Sequence, residues 1–197
     1  MGSQKALSAP PGLTIISVSD DAIKAMENRK TPIASFYCNI LTFKNYYTEK
    51  WFPYTMPISD ILGLSKAVKN VYYDKNIYKR HHVIAEAVRK AVTEAGLSLY
   101  PEYGFSDTVT VVSVPESMDD EQILATMRDE YNILISDSFD ILSGKVFRIG
   151  HMGENANVRD VAETLQALDR TFEKLGYPLK ADMSSVFMDE MEKAEEF

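Results

Sequence analysis

The chain has 197 residues, 45% hydrophobic and 25% charged, the composition of a globular protein long enough for one domain or one and a half. Its 21 Lys plus Arg against 29 Asp plus Glu give a net charge of -8, which repels a phosphate backbone, so nucleic acid is not an expected partner. No run of about 18 apolar residues is present, and the opening MGSQKALSAPPG lacks the basic region and apolar stretch of a secretory signal, so no membrane is expected either. The single cysteine, Cys38, cannot pair internally and reads as a small buried hydrophobe in a reducing cytoplasm.

The turn signal Ala9-Pro10-Pro11-Gly12 runs into the strand-like Thr14-Ile15-Ile16-Ser17-Val18, which reads like the middle of a domain. Ser19-Asp20-Asp21 then supplies a cap and an acidic first turn for a short helix over Ala22 to Lys30, ended before Pro32. From Thr31 to Pro57 the chain is rich in aromatics, which read as core and dimer-interface packing. Ile61, Leu64 and Val68 give helical spacing between Ile58 and Val71. A longer helix from Ile77 to Ala95 places Ile84, Ala87, Val88, Ala91 and Ala95 on one stripe, with Gly96 just past its end.

Leu97 to Tyr100 and Thr108 to Val114 read as strands, and Ser117 as the cap of a helix with Ile123, Leu124 and Met127 on its apolar side. Asn132 to Ser136 and Lys145 to Gly150 are two further short strands, separated by a loop from Asp137 to Gly144. The clearest helix follows, capped by Asn157, with Val161, Leu165, Leu168, Phe172 and Leu175 repeating at four, three, four and three before Gly176 and Pro178. Strands alternating with helices after about residue 76 predict a short-stranded sheet covered by helices, an α+β layer. The tail from Ala181 onward is Met-rich, but Glu190, Glu192, Glu195 and Glu196 stand at the wrong end of the dipole of any helix there, so fraying is expected.

Taken singly, the polar residues say little. Lys5 reads as a solvated charge, Thr55 as a turn residue, His81 and His82 as surface residues without metal-ligand spacing, and His151 as a loop histidine packed on a glycine turn. No metal is expected. Arg148 is more informative. Alternation sets it with Val146 and Gly150, opposite Phe147 and Ile149, where it forms either a structural salt bridge or a fork for a carboxylate.

Three segments change this reading. Gly2-Ser3-Gln4-Lys5-Ala6-Leu7-Ser8-Ala9-Pro10-Pro11-Gly12 closely resembles the segment around the Schiff-base lysine of class V pyridoxal-phosphate (PLP) aminotransferases, the alanine-glyoxylate and serine-pyruvate group. Trp51-Phe52-Pro53-Tyr54-Thr55-Met56-Pro57 resembles the family segment that reaches the cofactor phosphate of the neighbouring subunit, with Phe52 where the family often has a tyrosine. Gly144 to Gly153 resembles the family strand whose arginine clamps the substrate carboxylate.

The resemblance covers Gly2 to about Gly176 and implies the C-terminal half of a fold-type I enzyme. Residues 1–75 would be the α/β remnant of the large PLP-binding domain, residues 76–180 the small C-terminal α+β domain, and residues 181–197 an acidic tail. It implies Lys5 as the catalytic, cofactor-holding lysine, Gln4 and Thr55 near the phosphate of pyridoxal 5'-phosphate, and Arg148 on the substrate. The implied reaction passes an amino group from a small amino acid such as alanine or serine to a small 2-oxo acid such as glyoxylate or pyruvate, in a cytoplasmic homodimer. The family places its glycine-rich phosphate loop, ring-stacking aromatic and pyridine-pairing aspartate before the lysine, outside these residues. A second reading is therefore a catalytically incompetent interaction module that needs a separate N-terminal half.

Overall fold

A computed structural model describes residues 1–194. By its contacts the chain divides into two units, Met1–Lys69 and a second that begins at Asn70. In the first, the Ser19 hydroxyl accepts from Ala22 N and caps α1 (Asp20–Glu27), with Asp20 and Asp21 at the positive end of its dipole. A 3-10 turn at Ile40–Phe43 and the single-turn α2 (Tyr46–Glu49) follow, and α3 (Ile58–Tyr73) starts directly after Pro57.

The strand expected at Thr14 to Val18 does not form. Gly2 and Thr14 make an isolated bridge, Ile15 N donates to the Met1 carbonyl, and Ile16 is 60% exposed. A strand exists through pairing, and among the described residues only the first three of the chain pair with this segment.

The aromatic segment is likewise not a buried core. Tyr54 stacks on Tyr37 at 5.0 Å, meets Phe36 and Phe43 edge-on and donates its hydroxyl to the Phe36 carbonyl, yet Phe36, Tyr37, Tyr47 and Trp51 remain more than half exposed. Cys38, expected inside, is exposed in the same stretch. These rings cover one another and little covers them, because Ser3, Ala9 and Ala67 are the only buried residues of this unit.

The second unit holds the core. In α4 (Ile77–Glu94) the predicted small-residue stripe is buried and widened by Ala85 and Val92. Gly96 follows the helix with φ +85°, the left-handed geometry that ends it without a Cβ clash. Asp119, rather than Ser117, caps α5 (Asp120–Tyr131) by accepting from Glu121 N, and buries Ile123 and Met127. Asn157 caps α6 (Val158–Lys174) as expected, and Val161, Leu165, Leu168 and Phe172 enter the core.

Of the four predicted short strands two are regular, β1 (Val109–Ser113) and β2 (Val146–Gly150), paired antiparallel with Val111 opposite Arg148. The other two contribute one bridge each, Leu99 to Val112 on one side and Ser136 to Arg148 on the other, so the sheet core is narrower than expected. Val112, Phe147 and Ile149 point from this ribbon into the helices.

The tail expected to fray is a docked helix as far as it is described. Met183 and Phe187 of α7 (Met183–Lys193) are fully buried among residues of α4 and α6. Of the four glutamates that argued for fraying, Glu190 pairs with Lys193 and with Lys90 of α4, both at 2.7 Å, which hold its carboxyl below the usual range, and Glu192 is exposed. Glu195 and Glu196 lie outside the described residues.

The start of α7 is held by two carboxylates. Asp169 of α6 accepts from Met183 N at 2.8 Å and Ser184 N at 3.0 Å, and Asp182 accepts from Ser185 N at 2.7 Å. Burial lifts the Asp169 carboxyl to about 6 despite those two amides, and the Asp182 charge adds to the rise. At Asp182 burial is outweighed by hydrogen bonds from Ser185 and Ser184, and its pKa is lowered. Asp169 binds its proton more tightly folded than unfolded, so its contribution to stability is full below 3.8 and is lost as pH rises through about 6. Asp169→Asn should flatten that part of the pH dependence while costing about 1 kcal/mol for the lost amide acceptor. Thermal unfolding across the window checks this, and a wild-type-to-variant difference that stays constant with pH contradicts it.

Candidate active site

The loop that carries Gln4 and Lys5 is organised around one buried serine. Ser3, fully buried, donates its hydroxyl to the Pro10 carbonyl at 2.6 Å and its N–H to the Leu13 carbonyl, and its own carbonyl accepts from Ala9 N. Ser8 N closes a turn on the Lys5 carbonyl at 2.8 Å, with Ser8 itself at φ +55°. Small residues at these positions let the chain fold back tightly, and the lysine and glutamine side chains are left outside, exposed.

The Pro-Pro-Gly turn rests on α3. A Cβ on Gly63 would meet the Pro10 ring at 3.0 Å, so glycine there permits the approach, and Asp60 lies beside Gly12. Thr55 stands three residues before the same helix begins, exposed, with no hydrogen bond to another described residue. The first turns of α3 thus border both the lysine loop and the Thr55 segment. Gln4, Lys5 and Thr55 belong to the first unit and Arg148 to the second.

Arg148 sits on β2 with its buried neighbours Phe147 and Ile149 on the opposite face, as alternation predicts. Its backbone exchanges hydrogen bonds with Ser136, N to O at 2.7 Å and O to N at 3.2 Å. Its Nε donates to the Asp137 carbonyl at 2.8 Å, and its guanidinium carbon lies 6.0 Å from the centre of the Phe139 ring. No carboxylate among the described residues pairs with it, so the salt bridge weighed from sequence is absent and a half-buried cation is left with its terminal nitrogens unengaged.

Two histidines lie near the end of this strand, His151 directly after it and His81 against Gly153. His151 is fully buried, its Nε2 is 2.9 Å from the Thr110 hydroxyl, and its Nδ1 has no hydrogen-bond partner among the described residues. This is the packed histidine expected from sequence. Burial pulls its pKa down to about 4. A histidine lowered from 6.5 contributes stability that is complete above 6.5 and lost as pH falls toward about 4. An NMR titration should find the His151 ring neutral down to near pH 4, and a midpoint at 6.5 or above would contradict the buried placement.

His81, expected at the surface, is instead buried. Its Nδ1 faces the Ile77 carbonyl at 2.7 Å and its Nε2 accepts from Gly153 N at 3.0 Å, so the ring ties α4 to the turn after β2. The signal was present, since His81 continues the Ile84 and Val88 stripe one turn back. His82 is exposed beside Asp107. No cluster of potential metal ligands occurs among the described residues, and no described helix is long and apolar enough to cross a membrane.

No family profile matches the chain. It is 35% identical over 183 residues to an uncharacterized aminotransferase of Methanocaldococcus jannaschii, covering 91% of this chain and 47% of that protein. It is 38% identical over 161 residues to the serine–glyoxylate aminotransferase of Methylorubrum extorquens, covering 78% and 40%. The crystal structure of pyridoxamine-pyruvate aminotransferase from Mesorhizobium loti superposes with a TM-score of 0.87 at 30% identity, over 95% of this chain and 50% of that one. The chain's homologues are thus class V-type aminotransferases, and it spans about half the length of the curated relatives it matches.

Proposed function

We propose that these residues are the C-terminal half of a fold-type I enzyme that transfers an amino group between a small amino acid, alanine or serine, and a small 2-oxo acid, glyoxylate or pyruvate. In this reading residues 1–75 complete the large cofactor-binding domain as its α/β remnant, residues 76–180 are the small α+β domain, and the whole enzyme is a cytoplasmic homodimer. The observation that carries the proposal is Arg148, a half-buried guanidinium whose Nε donates to the Asp137 carbonyl and which pairs with no carboxylate among the described residues. A planar fork of N–H donors facing outward is suited to the carboxylate that amino acids and 2-oxo acids share.

The donor set also fits PLP. The Lys5 amine and the Thr55 hydroxyl are exposed and engaged by no described residue, as an amine that must meet an aldehyde and a hydroxyl that must meet a phosphate require. Bound there, PLP supplies the electron sink for the carbanion. Lys5 would hold the cofactor covalently and would move the proton at the substrate α-carbon, Gln4 would steady the phosphate, Thr55 would reach the phosphate of the neighbouring subunit's cofactor, and Arg148 would fix the substrate carboxylate. The test is a full-length protein carrying this segment, mixed with alanine or serine while the cofactor absorbance is followed. The spectrum should change with wild type and stay unchanged with Lys5→Ala, and an equal change in both would defeat the proposal.

The exposed rings of the first unit favour a second reading, in which the 197 residues act only when another polypeptide covers that surface. With Lys5 on an exposed loop, the isolated polypeptide treated with PLP and borohydride should then label several lysines. Selective labelling of Lys5 with turnover of alanine would reject this second reading.

A further inference from the structure

An arginine can meet a carboxylate with two parallel hydrogen bonds along either of two edges, one using Nε and a terminal nitrogen, the other using both terminal nitrogens. In this chain the first edge is taken, because Nε donates to the Asp137 carbonyl at 2.8 Å. One neighbourhood of the guanidinium is further occupied by the Phe139 ring, 6.0 Å from Cζ. Both contacts come from one short stretch that follows directly on Ser136, the residue whose backbone is bonded reciprocally to Arg148.

That stretch is built to hold its shape. Asp140 adopts φ +58° and reverses the chain, and Leu142 N, Ser143 N and Lys145 N donate in turn to the carbonyls of Phe139, Asp140 and Leu142 at 3.1 to 3.3 Å. Phe139 is nevertheless 75% exposed, so the loop spends its order on presenting an aromatic ring to the outside, next to an unpaired cation. Core packing does not explain that ring.

Resting on the carboxylate role of Arg148 given above, we propose that the Asp137–Phe139 segment is the positioning element of the clamp. It commits the Nε edge, leaves the edge formed by the two terminal nitrogens to the carboxylate, and makes the Phe139 ring a determinant of carboxylate affinity. The ring holds the guanidinium plane through its negative face, and its backbone neighbour fixes the rotation, so the fork is oriented before any carboxylate arrives.

The test uses the 197-residue chain, pyruvate as the carboxylate probe, and NMR of the arginine side chains. The Arg148 Nε proton should exchange with water more slowly than that of the exposed Arg29, and pyruvate should shift the Arg148 guanidinium signals. Phe139→Ala and Phe139→Leu should weaken pyruvate binding by about two- to fivefold, the worth of one cation–π contact, while Phe139→Tyr, which keeps the ring, retains it. Because residue 139 is exposed, unchanged melting temperatures are expected in all three and separate positioning from folding. Pyruvate binding in Phe139→Ala equal to wild type, or Phe139→Leu indistinguishable from Phe139→Tyr, overturns the inference. Arg148→Lys tells the two levels apart: if it leaves the titration unchanged, or if wild type shows no shift, the carboxylate role falls and this inference with it. If Arg148→Lys weakens binding and Phe139→Ala does not, only the positioning role is lost.

Discussion

Phe147→Ala is expected to destabilise the second unit by about 3 to 5 kcal/mol, the cost of removing a fully buried aromatic from a core that cannot collapse around the gap. Phe147 has no exposed surface, faces Phe172 of α6 at 6.3 Å and stands opposite Val112 of β1, which is also fully buried. It therefore joins strand to helix at the point where β2 carries Arg148 on its other face. Only two regular strands make this sheet, so neighbouring strands offer little to replace the lost packing. Urea denaturation gives the value, and a midpoint shift worth less than about 1 kcal/mol would show that the core does not rest on this ring.

Arg148→Lys in a full-length protein carrying the segment should lower the apparent affinity for alanine by about 1 to 3 kcal/mol. Lysine keeps the charge but offers a single point donor, and it cannot give one N–H to the Asp137 carbonyl while aiming two more at a carboxylate. The fold should survive, since the replaced side chain is half-exposed and pairs with no carboxylate among the described residues. The readout is the rate of the half-reaction with alanine at low substrate. An unchanged rate there would remove Arg148 from the substrate site.

What could be read in advance was the structure that neighbours in sequence determine. The stripes of α4 and α6, the Asn157 cap and the alternation that sets Arg148 opposite Phe147 and Ile149 all follow from local periodicity, and they hold. The errors arise where distant partners decide. The last helix looked frayed because its acidic end was weighed without Lys90, and its capping carboxylate, Asp169, lies on another helix. Thr14 to Val18 has strand composition but few groups to pair with, and Cys38 is exposed because its aromatic neighbours have little to pack against.

Gln4, Lys5, Thr55 and Arg148, the residues proposed to act, are named by the resemblance of three short segments to a known family. The contacts that orient Arg148 could not be named in this way, because one is a backbone carbonyl, which any residue supplies, and the other is a ring whose placement depends on a loop turning at Asp140.

The most direct test of the central claim is to reduce a PLP-loaded, full-length protein carrying this segment with borohydride, digest it and find the modified lysine. One labelled residue is expected, Lys5, on the turn closed by Ser8 and anchored by the buried Ser3. A label on any other lysine, or none at all while the cofactor is bound, would contradict it.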